Sequence, residues 1–68
     1  MHKWSLLYSA RTLPEATIVQ GMLEENNVPV MVMNKQDSSY LNFGYIEVYV
    51  PFHLMDVAKQ LMDKGLAN

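Results

Sequence analysis

The sequence predicts an α+β domain of βαββα order. Its three strands form an antiparallel sheet in the order 1-3-2, and two helices cover one face. Three observations predict it. Residues 45–50 (YIEVYV) alternate strictly, with Ile46, Val48 and Val50 on one side and Tyr45, Glu47 and Tyr49 on the other. Ala16, Val19, Met22 and Leu23, and later Leu54, Val57, Ala58 and Leu61, recur at helical spacing. Each helical stretch follows an apolar, aromatic-rich run, and in a split βαβ unit the third strand takes the centre. The expected architecture is ferredoxin-like without the final strand.

The first strand is read at residues 4–9 (WSLLYS), which are apolar and aromatic. Thr12-Leu13-Pro14-Glu15 then fits a capping box. Thr12 can accept from the Glu15 backbone N–H, and the Glu15 carboxylate can reach back to the N–H of Thr12. Pro14 falls in the first turn, where its missing donor costs little. Asn26-Asn27 ends the helix, because asparagine tolerates the left-handed conformation of a C-terminal cap.

Residues 28–33 (VPVMVM) form the second strand, and Pro29 assigns it to a sheet edge. The 34–44 segment (NKQDSSYLNFG) is polar, bounded by turn residues, and longer than the about 2–5 residues of a usual hairpin loop. Pro51 stops the third strand. The second helix ends near Lys64-Gly65.

The totals narrow the function. Residues 1–68 make one domain, small enough that its core needs outside support. Cysteine is absent, which removes disulfides, thiolate metal sites and cysteine nucleophiles together. Association is the support that remains. A net charge of −2 argues against electrostatic nucleic-acid binding. No apolar run reaches the ~20 residues of a membrane span. The apolar stretch after Lys3 is too short and too broken by Ser5 and Ser9 for a signal peptide, so a cytoplasmic chain is expected.

Several of these pieces, taken together, resemble a known family. Leu7-Tyr8-Ser9-Ala10 followed by Glu15-Ala16, then Met22-Leu23-Glu24-Glu25-Asn26-Asn27-Val28-Pro29, then Val50-Pro51 with Ala58, are similar to the "LYTA…EA", "LLExxGIP" and "VPxxxxxxA" segments of the "putative prokaryotic signal transducing protein" family. The resemblance implies a PII-like, ferredoxin-related fold and a role in signalling or regulation. It supplies no ligand and no catalytic residues. Asn27 stands where the family carries glycine, and Leu54 where an acidic residue is common.

Catalytic readings find little to use. His2 and His53 are the only histidines and lack ligand spacing, and His53 reads as a capping residue at a helix start. Asp37-Ser38-Ser39 has no neighbouring base to activate a hydroxyl. Glu24 and Glu25 point different ways on a helix. The chain is therefore expected not to be an enzyme and to need no metal or cofactor.

Two surfaces are candidates for binding. One is the 34–44 segment, with Lys35, Asp37 and Tyr40, which stands where PII-like proteins carry their signalling loop. The other is the uncovered sheet face, with Met31, Met33, Tyr45 and Tyr49, a pattern that marks interfaces. The expected function is a small regulatory or adaptor module that binds a protein partner or small ligand through this face and segment. The expected assembly is a homo-oligomer, a dimer first. A ligand-free structural oligomer is the alternative. A third reading is a single-stranded RNA binder, since Phe43-Gly44-Tyr45-Ile46 resembles the heart of the RRM signature. That match breaks at Leu41, Asn42 and Val48, so nucleic acid is not expected.

Overall fold

The computed structural model describes residues 3–35 and 45–66. The elements run β1 (Trp4–Ala10), α1 (Leu13–Glu25), β2 (Met31–Asn34), β3 (Ile46–Pro51), a 3₁₀ turn (Phe52–Leu54) and α2 (Met55–Leu66). The sheet has the order β1-β3-β2 and both pairings are antiparallel. This is the expected α+β topology, with β3 in the centre.

One side of β3 makes the core. Ile46, Val48 and Val50 are all fully buried, together with Ala10, Ala16, Val19, Leu23, Val28 and Ala58. The α1 residues among them are those that the helical spacing selects. On α2 the inward stripe is Leu54 at its approach, then Met55, Ala58, Leu61 and Met62. Val57, expected in that stripe, is 44% exposed because the helix is turned to seat Met55 and Met62. Gly65 lies within α2 rather than ending it. A Cβ there would collide with the Met22 Sδ, so the missing side chain admits Met22 between the helices.

The ends of α1 are set by side chains and backbone together. Thr12 Oγ1 accepts from Glu15 N at 3.3 Å, the first half of the capping box. The second half differs from expectation. The Glu15 carboxylate reaches past Thr12 to accept from Arg11 N at 3.4 Å, and it also takes the Tyr8 hydroxyl. At the other end Asn27 has φ 63°, Asn27 N donates to Glu24 O, and Val28 N donates to Leu23 O. That is a Schellman cap, closed by apolar contact between the last turn and the residue after it. Leu23 and Val28, both buried, fill those places.

All three strands differ in extent from the sequence reading. β1 runs one residue further, to Ala10, β2 starts at Met31, three residues later than expected, and β3 starts at Ile46 and runs on through Pro51. Phe52 N donates to Lys3 O and Lys35 N donates to Tyr45 O, which extends each ladder by one rung. The first of these bonds settles which way β3 points its backbone groups. Phe52 and Val50 turn toward β1, so Pro51 and Tyr49 turn toward β2. Pro51 has no N–H to offer there, and Pro29, two residues before Met31, has none either. The β2·β3 ladder ends where two prolines face one another.

A further difference is a β-bulge in β1. The pairing runs Trp4↔Pro51, Ser5↔Val50, Leu6↔Tyr49, then skips to Tyr8↔Val48. Leu7 is the extra residue, and the bulge reverses the phase of the strand. Ser5 faces the helices before it, and Tyr8 and Ala10 face them after it.

Two sets of variants test this fold. Leu23→Ala and Val48→Ala remove fully buried methyls and should each cost on the order of 1–5 kcal/mol, Leu23 the more. Thermal melts followed by circular dichroism should show both midpoints falling; an unchanged midpoint would put that element in the wrong phase. At the helix cap, Asn27→Val should destabilise by about 1–2 kcal/mol, since β-branching penalises positive φ. Asn27→Gly should stay within about 0.5 kcal/mol of the parent in urea titrations.

Candidate functional site

The register of the sheet defines the face that no helix covers. Residues opposite one another across an antiparallel pair share a face. Leu6, Tyr49 and Met31 therefore form one row across all three strands, and Ser9, Glu47 and Met33 form the next. Trp4 and Pro51 begin a further row, which Pro29 continues by counting back from Met31. Trp4, Leu6, Met33 and Tyr45 are each more than 40% exposed, and Met31 and Tyr49 are half-buried. The molecule measures 35 × 34 × 15 Å, and its thin dimension holds one sheet and one helix layer.

Five of the residues expected to bind are thereby located. Met31 and Met33 stand on β2, Tyr49 on β3, and Lys35 and Tyr45 opposite one another just beyond the two strands. Asp37 and Tyr40 lie outside the described residues, as does most of the 34–44 segment. Among the described residues no three of His, Cys, Asp and Glu come together. No described helix is long and apolar enough to cross a membrane.

Within the face lies a small polar cluster. The Tyr49 hydroxyl donates to Glu47 Oε1 at 2.8 Å, and Lys35 Nζ approaches the same oxygen at 3.4 Å. The Tyr49 bond holds the Glu47 carboxyl below its ordinary range; partial burial opposes this, and Lys35 adds to the lowering. The bond to Glu47 likewise raises the Tyr49 phenol, helped by partial burial and the carboxylate charge. Chemically the cluster is a neutralised pair with a tyrosine clamped to it. It offers no activated nucleophile.

Sequence reasoning passed over Leu6, Trp4, Glu47 and both prolines. Glu47 carried a signal, since it sits between two tyrosines on the outer alternation. Leu6 carried none, because the bulge decides which of Leu6 and Leu7 faces outward.

At the proline end of the sheet a cleft of about 340 Å³ opens, lined by Trp4, Asn27, Pro29, Pro51, His53 and Leu54. His53 belongs to the 3₁₀ turn before α2 and forms part of this wall.

Fold and surface together define a small two-layer α+β module with one bare sheet face. Residues 4–65 match the family described as "putative prokaryotic signal transducing protein", and the chain belongs to that family. No curated protein and no solved structure matches the chain.

The clamp makes a titration prediction. Tyr49 should ionise at higher pH than an ordinary phenol in an ultraviolet titration, and Glu47→Gln should bring it back toward the ordinary value. The linked stabilities have opposite windows. Glu47 is depressed, so its contribution is present above the unfolded carboxylate value and is lost as pH falls through the folded one. Tyr49 is raised, so its contribution is present below the unfolded phenol value and is lost as pH rises through the folded one. A normal Tyr49 titration would rule out the clamp.

Proposed function

We propose that the chain is a small regulatory module that acts by binding and not by catalysis, and that its open sheet face is the contact surface. The occupant we assign to that face is a second copy of the chain. The carrying observation is the continuity of the bare face: Trp4, Leu6, Tyr49, Met31 and Met33 adjoin across all three strands without a covering helix. The family description supports a signalling role. The 34–44 segment, with Asp37 and Tyr40, leaves and rejoins the sheet at Lys35 and Tyr45 beside this face, and we assign it to the same contact surface.

A second copy suits the face for three reasons. Among the described residues, Lys35 and Glu47 neutralise one another at the middle of the face, which favours an apolar occupant over a charged one. Tyrosine and methionine are residues that interfaces favour. The area matches a regulated contact, since a three-stranded face offers on the order of 500 Å² per copy against about 800 Å² in a standard interface. The expected dimer is therefore weak. Pairing through the β1 edge is disfavoured, because the bulge at Leu7 leaves only a short regular stretch before it.

Sedimentation across micromolar to high micromolar concentrations tests this. Wild type should associate, and Tyr49→Lys should remain monomeric with an unchanged circular dichroism spectrum. Leu6 turns its backbone N–H to the free edge, so Leu6→Pro blocks edge pairing while sparing the β1·β3 ladder. Loss of association in Leu6→Pro, with none in Tyr49→Lys, would assign the dimer to the edge. A wild-type monomer at hundreds of micromolar would overturn self-association altogether.

A further inference from the structure

We propose that the cleft at the proline end of the sheet binds a small uncharged heteroaromatic compound of nucleoside size, held against the Trp4 indole. The cleft lies at the margin of the open face and shares Trp4 with it, so the Tyr49→Lys variant tests it apart from self-association.

The cleft follows from the sequence. Beyond Met31↔Tyr49 the register brings Pro29 level with Pro51, and neither can donate across the gap. With no rung to draw them together, the chain ends part and leave about 340 Å³ between Trp4, the prolines and the 3₁₀ turn. That volume lies at the small end of the range for ligand sites.

Its lining indicates the occupant's chemistry. Trp4, Pro29, Pro51 and Leu54 give apolar walls, and Trp4 is still 41% exposed, so ring surface is left for stacking. None of the six lining residues is Asp, Glu, Lys or Arg, and a charged ligand would lose its hydration without compensation. Two polar residues line it, Asn27 at the exit of α1 and His53 in the approach to α2. An amide and an imidazole both donate and accept, which suits the edge of a nitrogen heterocycle. Asn27 holds φ 63°, where glycine would be conformationally cheaper, and it lines the cleft.

Trp4 is the only tryptophan and so reports directly on the site. The experiment titrates adenosine, guanosine, cytidine and uridine into the full chain, following Trp4 fluorescence with calorimetry as a second readout. At least one nucleoside should quench saturably by low millimolar concentration, and its monophosphate should bind no more tightly. Asn27→Gly, compatible with the cap, and His53→Ala should each weaken binding about two- to tenfold, the range of a lost hydrogen bond. Tyr49→Lys should bind as wild type does, which separates this site from the open face.

Absence of saturable quenching by all four nucleosides would overturn the proposal. So would quenching unaffected by both Asn27→Gly and His53→Ala, since that is stacking on an exposed indole. Tighter binding of the monophosphates would replace it with an anion site, and binding of a proline-rich peptide alone with a peptide groove.

Discussion

Everything in this fold depends on the one-sided burial of β3. Its three β-branched residues, Ile46, Val48 and Val50, are fully buried beneath the helices, and its neighbours on both sides hold it by backbone bonds. Because side chains alternate with period two, burying that set commits Glu47 and Tyr49 to the opposite face. A second helix layer would be needed to cover them, and the described residues have two helices, both on the core side. The bare face is thus the geometric complement of the core.

The bulge in β1 serves the same constraint. Without it, Ser9 would point into the core and Tyr8 and Ala10 would point outward. With Leu7 as the extra residue, Ala10 becomes fully buried and the Tyr8 hydroxyl reaches Glu15 in the first turn of α1. One irregular residue therefore completes the core and couples the sheet to the start of a helix. It also breaks the regularity of the edge, a recognised way to discourage strand addition. Pro29 limits how far β2 runs along β3, whereas the protection of the β1 edge is conformational.

That difference explains what was legible. Strict alternation in β3, the Thr12 cap, the asparagine at positive φ and the edge position of β2 all express local chemistry, and each can be read from residue types. The βαββα order and the 1-3-2 sheet followed from them. The family resemblance, carried by the spacing of short segments, matched residues 4–65. Phase shifts were not legible. Leu6 and Leu7 are the same residue type, and only pairing with β3 decides which faces outward. Val57 fits the helical stripe as well as Met55 does, and packing against α1 chose the flexible methionines. The Glu15 carboxylate bypassed Thr12 because the bulge had brought the Tyr8 hydroxyl within reach, a tertiary event that no local motif encodes.

The sites that sequence reasoning missed share a location. Asn27 follows α1, Pro29 precedes β2, Pro51 ends β3, His53 and Leu54 lead into α2, and Trp4 begins β1. Each is a junction residue, and a junction is defined by what the adjoining elements do rather than by periodicity. Yet their neighbours are among the most buried positions: Leu23 and Val28 flank the α1 cap, and Val50 precedes Pro51. Pro51 is itself buried and Pro29 follows the buried Val28, so two walls of the cleft are anchored in the core. Such anchoring limits how far the walls can move, so little ordering entropy stands against an occupant. On the open face Glu47 and Tyr49 are held as firmly, since they alternate with the buried Ile46, Val48 and Val50. A domain this small has no layer to spare for regulation apart from its core. The binding we propose is accordingly assigned to the surfaces that the core geometry leaves bare.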